Sequence, residues 1–196
     1  SDAHSDGPKK AGSTSIALQL SLGAAGGVGG DSTKPKVMST LPENNRQYVP
    51  GSDSNIKIIV VFDKAMNQST VTSSGSMVVN EVVAGATTDI TSTKGGCVYY
   101  SSYVMPMRDS SGNLITKTNV AVWSLIPSNT LGENKSFSVN VTSAVKDTAG
   151  NAIDTYRFGF TTGTTVNTNT YNTSNNTLGN GEKYNEGTNV APRVVG

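Results

Sequence analysis

The run Asn-Ile-Lys-Ile-Ile-Val-Val-Phe at 55–62 constrains this chain more than any other segment. Strand side chains alternate between two faces, so Ile56, Ile58 and Val60 fall on one side and Ile59 and Val61 on the other. A strand that is apolar on both sides belongs in the middle of a sheet that is covered above and below. Five further short β-rich runs follow, MVVNEVV (77–83), CVYYSSYVM (97–105), LITKTNVAVWSLIP (114–127), SFSVNVTSA (136–144) and YRFGFTT (156–162). Their spacing, with turn signals between them, predicts a sandwich of two sheets. A proline-led start, KPKVMSTLP at 34–42, precedes the central run, and ENNRQYVPGSDS at 43–54 reads as a loop. DKAMNQSTVTSSGS at 63–76 reads as a turn with at most one helical turn.

Composition agrees with an all-β chain outside the cytosol. Charged residues make up 15% and net charge is +1, while Ser, Thr, Asn and 21 Gly fill the polar positions. Thr and Val favour strands, and Gly and Asn favour turns. The near-neutral balance leaves neither a nucleic-acid footprint nor a basic membrane patch. No apolar window is long enough to span a bilayer as a helix. Cys97 is the sole cysteine, so no intramolecular disulfide can form, and it reads as a small core residue.

Residues 31 to about 163 resemble the bacterial immunoglobulin-like domains that occur in tandem in S-layer proteins, adhesins and other secreted surface proteins. The resemblance is carried by DSTKPKVMSTLPENN (31–45), IKIIVVFDKAMNQSTV (56–71) and, most specifically, WSLIPSNTLGENKSFSVNVTSAVKDTAGNAIDTYRFGFTTG (123–163). In the last block Trp123 and Leu125 alternate inward, Phe137, Val139 and Val141 point inward from the next strand, and Phe158 and Phe160 share a face. Residues 81–118 are longer than this fold needs between its middle strands. The resemblance implies an immunoglobulin-like antiparallel β-sandwich that serves as a spacer, an adhesive module or a polymer subunit. It brings no catalytic residue with it, and the fold alone does not choose among those roles.

Outside that region the chain divides into a polar arm, a strand and a glycine hinge at 1–30, and a Thr/Asn-rich extension at 164–196. Within GSTSIALQLSLGAAGGVGG (12–30), Ile16, Leu18, Leu20 and Leu22 occupy every second position, which predicts a strand with one strongly apolar face. Three destinations are open to it: an edge or cover position of its own sandwich, a groove in the next subunit, where it would complete a neighbour's sheet, or a contact with a cell-wall partner. The expected architecture is therefore a sandwich with extended N- and C-terminal arms.

Signs of chemistry are sparse. The sole histidine, His4, lies in the polar arm, so neither a Ser-His-Asp nor a Cys-His constellation is in view, and one His with one Cys cannot fill a zinc site. GAAGGVGGDSTK (23–34) lacks the Gly-Lys-Ser/Thr ending that cradles phosphate. The carboxylates Asp63, Glu81, Asp89 and Asp109 are the pool from which a glycosidase-like pair would have to come. The turns DSSGN (109–113) and DTAGN (147–151) offer one carboxylate each, short of the six or more oxygens that calcium takes. Asn-X-Ser/Thr sequons stand at Asn67, Asn134, Asn140, Asn172 and Asn175, with Asn140 expected to face solvent. A Lys-Asn crosslink of the kind some surface immunoglobulin-like domains form depends on geometry that spacing does not reveal.

The sequence thus predicts an extracellular or cell-surface structural protein, without enzymatic activity, cofactor or metal. It is expected to be a subunit of a surface filament or layer built by strand exchange, its partner being itself, head to tail, through Ile16, Leu18, Leu20 and Leu22. The alternative is an adhesive or spacer module of a larger surface protein, with cell-wall or host glycans as partners.

Overall fold

The computed structural model describes residues 30–109 and 111–163, together with the backbone of a short antiparallel pair, Tyr171–Asn172 with Thr177–Leu178. The predicted strand at 14–22, His4, and the rest of the C-terminal extension lie outside the described residues.

Nine strands form two sheets. The first has the order β1 (Val37–Leu41), β3 (Lys57–Phe62), β7 (Leu114–Leu125), β6 (Gly95–Arg108), all antiparallel. The second has the order β2 (Arg46–Pro50), β9 (Tyr156–Gly163), β8 (Ser136–Val141), β4 (Met77–Val83), β5 (Ala86–Asp89). The sheets pack as an immunoglobulin-like sandwich. One pairing departs from the antiparallel expectation: β2 runs parallel to β9, with Val49 opposite Thr162. The chain crosses from the first sheet to the second just after β1, where the Leu41–Pro42 peptide is cis.

The central run behaves as its two-sided pattern requires. In β3, Ile58 faces Trp123 and Val60 faces Ala121 on one side, while Ile59 pairs with Val122 and Val61 with Val120 on the other, and all eight are buried. Burying a side chain of this size contributes roughly 2 kcal/mol, so this strand pair alone is a large share of the core. Trp123 is fully buried and its indole N–H donates to the Thr91 carbonyl at 2.9 Å. Its ring lies against Gly95, where an added Cβ would sit 2.4 Å from ring carbons. In the second sheet Phe137, Val139 and Val141 of β8 are buried, and so are Phe158 and Phe160 of β9. The Phe137 and Phe160 rings stack at 5.3 Å. Asn140, between Val139 and Val141, is half-buried on the opposite face, and Leu125 is half-buried against the core.

The single helical turn is α1 (Gln68–Thr72), capped by Asn67, whose side-chain oxygen accepts from the Ser69 N–H. Two strands were not legible beforehand. β2 lies in the expected loop, and β5 pairs with β4 across the turn at Ala84–Gly85. The extra length at 81–118 goes into β5 and into the long β6–β7 hairpin. Only Val120–Ser124 of β7 pairs with β3, so the hairpin runs on beyond the sheet.

Candidate functional site

The two Asp-initiated turns have the same backbone design. In each, the Asp N–H donates to the carbonyl of the Asn four residues on (3.0 Å for Asp147, 2.9 Å for Asp109) and the Gly N–H returns a bond to the Asp carbonyl. The Asn N–H donates to the Asp carboxylate, at 2.8 Å for Asn151 and 3.0 Å for Asn113. Gly150 and Gly112 sit at φ 89° and 86°, a region that glycine enters without a Cβ penalty. The surroundings differ. Asp109 is exposed, whereas Asp147 is 1% exposed and its Oδ2 accepts from both Asn151 Nδ2 (2.9 Å) and Lys64 Nζ (3.2 Å). Burial pushes this carboxyl upward, but the hydrogen bonds from Asn151 and the Lys64 ammonium outweigh it and hold the group below the usual carboxylate range.

That arrangement is a structural pin between the segment after β3 and the β8–β9 connection. It also brings Lys64 and Asn151, the residue types of a Lys-Asn crosslink, to the same carboxylate oxygen, where both donate hydrogen bonds. The other carboxylates are engaged separately. Asp63 accepts from the Lys36 N–H (2.8 Å), Glu81 pairs with Lys135 Nζ (2.9 Å), and Asp89 accepts from the Thr91 N–H (2.8 Å). The hydrogen bonds and ion pairs given for Asp63, Glu81, Asp89 and Asp109 lead to different elements and join no two of them as an acid/base pair. No group of three or more metal-capable side chains occurs among the described residues, and no helix there is long and apolar enough to cross a membrane. An open groove of about 480 Å³ beside β1, lined by Met38, Val61, Asp63 and Lys117 among others, holds one charge of each sign.

The sheet edges carry more information. A free edge presents a row of unpaired backbone groups, and proteins blunt it with short strands, bulges, proline or charge. Three of the four edges are blunted in these ways. β1 has five residues and a register shift between Val37 and Ser39. β5 has four, all exposed. β2 ends in Pro50, shifts register after Arg46, and holds Tyr48 at φ 62°. β6 is different. It has 14 residues, of which Gly95–Val104, ten residues, keep one register with β7 before a shift between Val104 and Arg108 that contains Pro106, and β7 is its one strand neighbour among the described residues. Its exposed side chains include Val98 (48%), Tyr100 (38%) and Val104 (55%), alternating with half-buried Cys97, Tyr99 and Tyr103. α1 packs near this strand, and the Tyr99 hydroxyl accepts from the Met66 N–H (2.9 Å) and donates to Asn119 Oδ1 (3.2 Å). No backbone hydrogen bond among the described residues joins α1 to β6. Burial pushes the Cys97 thiol up to about 11.

Residues 31–162 match the family model of the bacterial Ig-like domain. The chain belongs to that family. Among solved structures, this bacterial Ig-like domain is similar to crystal structures of the S-layer protein SbsC. One, of rSbsC, is 20% identical with a TM-score of 0.37 over 67% of this chain and 14% of that one. Another, of the N-terminal part of SbsC, is 22% identical with a TM-score of 0.37 over 67% of this chain and 24% of that one. The chain thus spans at most about a quarter of the SbsC chains it matches. Among curated proteins, none matches it. Ile16, Leu18, Leu20 and Leu22, the predicted interface, lie outside both the described residues and the matched span. The open edge of β6 was not singled out from sequence. Alternation of Val98, Tyr100 and Val104 with Cys97, Tyr99 and Tyr103 marks a strand there, but nothing local marks it as an edge.

Proposed function

We propose that this bacterial Ig-like domain chain is an extracellular structural protein, a subunit of a surface filament or layer that assembles by β-strand exchange. Its parts are a donor arm with hinge at 1–30, the sandwich at 31–163 and an extension at 164–196, with Ile16, Leu18, Leu20 and Leu22 as the subunit interface. The observation that carries this reading is the ten-residue regular stretch of the β6 edge, Gly95–Val104, left open in a domain whose other sheet edges are shorter. Membership of the family and the polar, weakly charged composition support a place at the cell surface. Electron microscopy of the purified chain tests it. Filaments or sheets that disappear when residues 1–30 are removed are the expected result, and a monodisperse intact chain at high concentration overturns it.

A second reading, an adhesive or spacer module, is favoured by the sandwich itself, whose nine strands form both sheets without a partner. It predicts a soluble monomer that binds a cell-wall or host glycan, which a glycan array would detect.

A further inference from the structure

We propose that the outer edge of β6 is the acceptor for the exchanged strand, and that its occupant is segment 14–22 of a second copy of this chain. The inference rests on the strand-exchange reading above and gives that reading a specific surface. Three observations support it. The first is the edge itself: ten residues of β6, Gly95–Val104, keep one register ahead of the shift that contains Pro106, the longest regular edge of the two sheets, and an added strand would satisfy the outward N–H and C=O groups there.

The second is pattern. Val98, Tyr100, Ser102 and Val104 occupy alternate positions of β6 and are all exposed, so they form a row along one face. Ile16, Leu18, Leu20 and Leu22 are also four alternate positions. Directly opposed side chains of paired strands stand about 5 Å apart, so the donor's apolar face would extend this row and cover Val98, Tyr100 and Val104.

The third is polarity. The chain enters the sandwich at β1, the edge of the same sheet farthest from β6. It is held there by the Lys34–Asp154 ion pair (2.6 Å) and by the Lys36 N–H on Asp63. An arm taken up by the β6 edge of the next copy makes a heterologous, head-to-tail contact, which builds a fibre where its rotation does not close into a ring.

The test uses two full-length variants. Val98→Lys with Val104→Lys places charge on the β6 edge at positions already exposed, and Leu18→Asp with Leu20→Asp disables the arm. Circular dichroism melting checks that both keep the fold of the unaltered chain. Size-exclusion chromatography with light scattering is expected to show multimers for the unaltered chain and monomers for each variant alone. A mixture of the two variants is expected to give capped heterodimers, because one retains an arm and the other an edge. Normal assembly by the Lys variant overturns the assignment to β6 and leaves the strand-exchange reading standing. A mixture that stays monomeric overturns the second copy as occupant. An unaltered chain that stays monomeric overturns this inference and the strand-exchange reading together.

Discussion

Asp147 shows how much one buried carboxylate can organise. Its two oxygens accept from Asn151 and Lys64, so replacing it by Ala removes the carboxylate that receives two Asn151 N–H groups and the Lys64 ammonium, which keeps the Thr33 carbonyl at 2.6 Å. Asp147→Ala is expected to lower stability by about 3 kcal/mol, measured by urea unfolding at pH 7. Because the folded-state pKa is depressed, the stabilisation is fully present above the unfolded value of about 3.9 and is lost as pH falls through the lower folded value. Unfolding midpoints of the two proteins should converge as pH falls below the ordinary carboxylate range. Divergence that persists there would mean that the residue acts through packing rather than charge. Cys97 gives a second reading at this scale. With its thiol pushed up to about 11, alkylation by iodoacetamide at pH 8 should be slow in the folded protein and should accelerate on adding guanidinium.

Among the elements, the loops at the end of the sandwich are as constrained as the strands. The Gly132 N–H donates to the Gly51 carbonyl at 2.8 Å, and a Cβ on Gly51 would lie 2.1 Å from the Gly132 oxygen. Gly51→Ala is therefore expected to cost about 1–3 kcal/mol, as overpacking does, with thermal unfolding as the readout. Strands with a buried face and alternating apolar residues were legible in sequence: β3, β4, β7, β8 and β9 fall where their patterns place them. β2 was not, because Arg-Gln-Tyr-Val-Pro opens with a buried arginine and carries Tyr48 in the left-handed region, which is loop chemistry by any local criterion. β5 was not, because all four of its residues are exposed and no apolar period marks it.

For the whole molecule, the strand-exchange proposal separates folding from assembly. Removing residues 1–30 should leave the melting temperature of the sandwich unchanged while abolishing multimers. A large drop in that temperature would instead assign the arm to its own domain. By itself the sequence determined the all-β class, the two-sided central strand, the buried faces of β8 and β9, and both Asp-Gly-Asn turns. All of these follow from side-chain period and local backbone preference. The tertiary structure decided the rest. A period of two says which face a residue takes but not which strand lies beside it, so the parallel β2–β9 pairing and the edge position of β6 had no local signature. The same limit separates DSSGN from DTAGN. Both form the same turn, and the approach of Lys64 from far along the chain to a buried carboxylate made Asp147 a structural pin and left Asp109 on the surface.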